Sequence, residues 1–146
     1  MNIVFASRVP TESRAELEEL LFLNPGQHLV REGILNSLAR FGHPKVVESS
    51  GGLAVKVGDL EAQTLFAFDR SQDGDAPIGA VIFIRTAPEE IAIMHVAVHE
   101  DYALQGADAG VGLGVTLVEK VKEIAHRIVG VQRIVFFYRR HVVIRL

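Results

Sequence analysis

Between Ile91 and Gly130 the chain passes from an apolar run, through a glycine-rich loop, into an amphipathic segment, and this stretch limits the fold more than any other. Ile91-Ala-Ile-Met-His-Val-Ala-Val98 reads as a strand. A loop rich in Ala and Gly runs from Tyr102 to Gly114 and ends in Ala109-Gly110-Val111-Gly112-Leu113-Gly114. Val115 to Val129 reads as helix, because Leu117, Val121, Ile124 and Ile128 recur at one-face spacing, and Gly130 suits its C-cap. Gln132 to Tyr138 is a second apolar strand. Two strands joined by a helical crossover lie parallel in one sheet.

The residues before this unit predict a different pattern. Ile3 to Val9 reads as a short strand ended by Pro10. Ser13 and Glu16 have capping-box spacing, and Leu17, Leu20 and Leu21 form the stripe of a first helix. Asn24-Pro25 opens a second helix, with Val30, Ile34, Leu38 and Phe41 on one face and Gly42 at its end. Strands follow around Leu53, Val55 and Val57, around Leu65, Phe66 and Phe68, and from Ile78 to Arg85. Gly58-Asp59, Ser71 to Asp75 and Pro88-Glu89-Glu90 are the turns between them, so these strands are expected to be antiparallel. His141 to Leu146 is apolar enough for one more strand. The expected fold is an α/β (α+β) domain over 1–146, with a mixed, mostly antiparallel sheet and helices on both faces.

Composition removes several functions. The chain has 146 residues, which suits one domain able to bury roughly 70% of its unfolded surface. It has no cysteine, hence no disulfide framework, thiolate metal site or cysteine nucleophile. A net charge of −3 gives no electrostatic case for nucleic acid. The N-terminal Met1-Asn2-Ile3-Val4-Phe5-Ala6 lacks the layout of a signal peptide, and no apolar stretch is long enough to span a membrane, so a cytoplasmic protein is expected.

The chemistry centres on the glycines. Glycine lets a backbone turn sharply and approach a ligand without a Cβ in the way. The start of the next helix offers unpaired N–H groups and a positive dipole end, which suits a pyrophosphate. The alternative is a small-residue loop that only packs closely. His95 is one candidate proton acceptor, since imidazole titrates near neutrality, though it also reads as an ordinary strand residue; Glu89 and Glu90 are others, in a turn that reads as solvated. His99, Glu100 and Asp101 cluster beside it, but their spacing is unspecific and no metal is expected.

The run Ile91 to Val98, the polar-aromatic turn His99-Glu100-Asp101-Tyr102, and Gly112-Leu113-Gly114 opening the helix Val115-Thr116-Leu117-Val118 resemble the GCN5-related N-acetyltransferases. The resemblance covers 91–138 as a motif and most of the chain as element order. It implies an acetyl-CoA-dependent N-acetyltransferase in which an amine attacks the thioester directly. It further implies that backbone groups of Val96 and Val98 bind the pantetheine, and that amides of Val111, Gly112, Leu113 and Gly114 hold the pyrophosphate. Ala109 stands where the family has Gln or Arg, the loop after Val98 is longer than usual, and the sequence stops just after the strand that the family follows with another helix and a closing hairpin. These departures open a second reading, a degenerate CoA-binding or regulatory module without turnover. The acceptor is expected to be a small-molecule or protein amine, and the apolar C-terminal strand offers a surface for a homodimer. A dinucleotide-binding fold is the third reading; it conflicts with the long loop before Gly110 and with the antiparallel hairpins.

Overall fold

The computed structural model describes residues 2–22, 44–58, 60–72, 74–102, 112–136 and 143–146. The expected second helix from Asn24, together with Ala109, Gly110, Val111 and Tyr138, lies outside them. Among the described residues are two helices and nine strands: β1 (Ile3–Ala6), α1 (Arg14–Phe22), β2 (Pro44–Ser49), β3 (Gly52–Val57), β4 (Leu60–Glu61), β5 (Gln63–Asp69), β6 (Gly79–Ala87), β7 (Glu90–Val98), α2 (Leu113–His126), β8 (Arg133–Phe136) and β9 (Val143–Arg145).

Six strands form a mixed sheet in the order β1-β5-β6-β7-β8-β9. Every neighbouring pair is antiparallel except β7 and β8, which α2 joins in parallel. The expected mixed, mostly antiparallel α+β sheet is therefore present, and the antiparallel neighbours rule out a dinucleotide-binding sheet. α1 covers one face: Leu17, Leu20 and Leu21 pack with Phe66, Ile82 and Met94. α2 covers the other: Leu113, Leu117, Val121 and Ala125 pack with Val81, Phe83, Ile93 and Ile134. β6 reads as a near-continuous apolar run because Gly79 to Phe83 are buried on both faces.

Some expectations need correction. β2, β3 and β4 form a separate three-stranded sheet, not part of the mixed one. β2 was missed in the sequence because Lys45, Glu48 and Ser49 interrupt its apolar residues. β1 stops at Ala6, and Val9 instead makes an isolated bridge to Leu53. The capping box does not form around Ser13. Thr11–Ser13 is a 3-10 turn leading into α1, and the Ser13 hydroxyl donates to the Asp75 carbonyl at 3.1 Å. α2 begins two residues before Val115 and ends at His126, with Arg127 as its C-cap. Gly130 is thus no cap; its φ of 91° serves the turn into β8. The C-terminal strand pairs within its own sheet, Ile144 opposite Ile134. No helix among the described residues is long and apolar enough to cross a membrane.

Candidate functional site

β7 carries an irregularity at its centre. It pairs with β6 as Ile93↔Phe83 and then His95↔Ile82, so Met94 is an extra residue on β7, a β-bulge. The bulge has three consequences. First, it shifts the side-chain alternation. Ile91 and Ile93 face α2, yet His95 stands opposite Ile82 on the α1 face, and Val96 and Val98 return to the α2 face. Second, it stands just past the last pair of the parallel ladder among the described residues, which runs from Glu90↔Arg133 to Ile93↔Phe136.

Third, it sets which backbone groups face that edge. The His99 N–H donates to the Ile78 carbonyl at 2.8 Å, which fixes the phase of the antiparallel ladder. In that phase His95 and Ala97 exchange hydrogen bonds with β6, and the backbone groups of Val96 and Val98 turn toward the β8 side.

The start of α2 sits over this same half of β7. Gly79 makes the close approach possible, because a Cβ there would stand 2.9 Å from Leu113 Cδ2 and 3.1 Å from Leu117 Cδ1. Gly114 lies above Val98 and Val96, where a Cβ would meet their methyl groups at an ordinary 3.7 and 3.8 Å. Val96, Val98, Gly112, Leu113 and Gly114, singled out from sequence, are thus brought together; Val111 lies outside the described residues.

Gly112 is the N-cap of α2 and has φ −66° and ψ 137°, a conformation open to any residue. Neither Gly112's backbone nor Gly114's surroundings demand glycine. The helix start is also bare: no side chain caps it and its first turn holds no acidic residue. The leading amides and the positive end of the dipole are therefore uncompensated by side chains among the described residues.

His95 lies on the opposite face. The Leu21 backbone hydrogen-bonds its ring, and Nε2 is buried without a hydrogen-bond partner among the described residues. The bond to Leu21 then falls on Nδ1, leaving Nε2 with its lone pair. Burial pushes the imidazole below its usual range, more than the Leu21 contact raises it, so the ring is held neutral.

Sequence reasoning missed Asp69. The Asp69 carboxylate accepts hydrogen bonds from the Asn2 and Ser71 amides, the Ser71 hydroxyl and the Tyr102 hydroxyl, the last at 2.7 Å. Those bonds, led by the Ser71 and Tyr102 hydroxyls, hold it far below the usual carboxylate range despite the opposing effect of burial. It ties the residue that opens the glycine-rich loop to the end of β5. No sequence spacing links Asp69 to Tyr102. The acidic cluster around His99 stays exposed and local, and no three metal-ligand side chains converge among the described residues.

No family model matches the chain, and no curated protein matches it. One solved structure, the IAA acetyltransferase from Bacillus cereus ATCC 14579, is 22% identical with a TM-score of 0.45, over 91% of this chain and 63% of its own length. The present chain thus spans less than two thirds of that protein.

Proposed function

We propose that this domain is an acetyl-CoA-dependent N-acetyltransferase that moves an acyl group to an amine. One observation carries the reading: a bulged strand edge and an uncapped helix N-terminus meet in one place, with Gly114 above Val96 and Val98. A pantetheine arm needs backbone partners in series, and a pyrophosphate needs clustered N–H donors. The strand backbone at Val96 and the amides at the start of α2 lie beside each other. The resemblance of the glycine loop and its helix to GCN5-related N-acetyltransferases supports the same assignment.

In this reading the Val96 and Val98 backbone groups hold the pantetheine amides, and the amides of Val111, Gly112, Leu113 and Gly114 hold the pyrophosphate. When bound, acetyl-CoA supplies an acyl group already activated as a thioester. The protein's part is mostly to position that group against the acceptor. His95, held neutral, takes the amine proton at Nε2, and its bond to Leu21 fixes the tautomer that leaves this atom basic.

Thermal unfolding with added ligands tests the proposal. Acetyl-CoA is expected to raise the melting temperature and NADPH to leave it unchanged. No shift with any CoA species sinks the reading. A shift without acetyl transfer to a panel of amines would leave a CoA-binding module instead of an enzyme.

A further inference from the structure

Asp69 divides its two oxygens between two tasks. Oδ1 accepts from the Asn2 amide at 3.1 Å, the Ser71 amide at 3.0 Å and the Ser71 hydroxyl at 2.6 Å. Asn2 precedes β1 and Ser71 follows β5, so Oδ1 closes the end of the β1–β5 pair. An asparagine oxygen would close that local turn equally well. Oδ2 instead accepts from the Tyr102 hydroxyl at 2.7 Å, from a residue far along the chain. The turn thus gives no reason for a carboxylate, and burying one costs desolvation. The bond to Tyr102 does give a reason, because a hydroxyl donating to a carboxylate bonds roughly twice as strongly as it does to a neutral acceptor.

Tyr102 ends the 3-10 turn Glu100–Tyr102, just past β7. The exit from β7 is therefore fixed in steps. The His99 amide donates to the Ile78 carbonyl at 2.8 Å, the Tyr102 amide donates to the His99 carbonyl at 2.9 Å, and the Tyr102 hydroxyl reaches Asp69. Beside this bond the row Ala67–Gly79–Val98 crosses β5, β6 and β7. Its middle member is the glycine on which Leu113 and Leu117 sit. Asp69 shares the α2 face with Ala67 and with its own partner Ile3, and the Tyr102 ring packs into the same apolar cluster as Leu113 and Leu117. The tether thus joins the end of β5 to the end of β7 alongside the seat of α2. It acts on the half of β7, Met94 to Val98, whose ladder among the described residues is to β6.

Resting on the acyltransferase reading, we infer that Asp69 and Tyr102 are positioning residues, whose bond holds this half of β7 in register with the start of α2 and so presets Val96, Val98 and the α2 amides for acetyl-CoA. Neither side chain takes part in the transfer. The pair acts by lowering the ordering cost of binding, since a backbone already held in place loses less freedom when the ligand arrives.

Tyr102→Phe removes the hydroxyl and keeps the ring. Ser71→Ala takes a bond from Oδ1 and leaves the tether. Both variants are expected to melt about 3–6 °C below wild type. Amide hydrogen exchange of the free proteins then separates them. In Tyr102→Phe the amides of Ala97 and His99 should lose about tenfold more protection than those of Ile91 and Ile93, whereas in Ser71→Ala all four should change together. By calorimetry, acetyl-CoA should bind about tenfold more weakly to Tyr102→Phe and within about twofold of wild type to Ser71→Ala. A merely structural bond would lower protection evenly along β7 and leave affinity unchanged; either result, or an equal loss of affinity in both variants, overturns the inference. If acetyl-CoA does not bind wild type, the acyltransferase reading is what has failed. The exchange pattern then decides the tether by itself: a loss confined to Ala97 and His99 upholds it, and an even change along β7 overturns it.

Discussion

From Glu90 to Ile93, β7 is laddered on both edges, to β6 and to β8; from Met94 to Val98 its ladder among the described residues is to β6. The first half is also pinned at its end. Arg133 reaches Glu90 at 3.0 Å and Glu89 at 3.4 Å across the parallel pair, and Glu90 in turn accepts from the Thr86 hydroxyl at 2.6 Å. On the α2 side of the second half, the helix seats closely on Gly79 and its bare start lies over Val96 and Val98. One extra residue, Met94, separates the two. The first half spends its backbone on the sheet. The second turns the backbone groups of Val96 and Val98 to the β8 side. Holding the first half rigid is what allows the second to be presented in a fixed geometry.

Substitutions in the two halves should therefore separate stability from binding. Ile134 is fully buried against the first half, and Ile134→Ala should cost about 3 kcal/mol in denaturant unfolding, since it opens a cavity in the α2 core. Next is Gly79→Ala. Its Cβ would press on Leu113 and Leu117, which must move with the first turn of α2. A stability loss of about 1–3 kcal/mol is expected, together with a calorimetric fall in acetyl-CoA affinity of about tenfold. Gly114→Ala inverts the pattern: the Cβ has room, and replacing a helical glycine should raise stability by about 0.5–1 kcal/mol while acetyl-CoA binding weakens. If Gly114→Ala binds as well as wild type, the helix start is not the phosphate site. The smallest effect is that of Arg133→Ala, about 0.5 kcal/mol in denaturant unfolding, because its pairs with Glu89 and Glu90 are partly solvated; affinity should not change.

The bulged half should also show in pH dependence. His95 has a lower pKa folded than unfolded, so the unfolded chain binds more protons as pH drops past the ordinary value of 6.5. The stability owed to its neutral ring is complete above that pH and is lost as pH falls toward the lowered folded value. His95→Gln should lack that part of the pH dependence when unfolding free energies are measured beside wild type.

Much of this was legible in the sequence. The apolar run from Ile91 to Val98, the glycines and the helical stripe gave the parallel crossover and the helix between its strands. Periodicity reads such elements because burial on one face repeats along them. The bulge was not legible. Met94 and His95 have no turn chemistry, and only the register with β6 reveals the extra residue. The Asp69–Tyr102 bond was hidden for a related reason: it depends on which residues meet across strands, and local spacing carries no such information.

Amide hydrogen exchange of the free protein and of the protein saturated with CoA tests the difference between the halves of β7 most directly. The expected result is added protection at Val96, Gly112, Leu113 and Gly114 on binding, with Ile91 and Ile93 unchanged because the sheet already holds them. Uniform protection along β7, or protection that leaves Val96 and the start of α2 unaffected, would contradict the account.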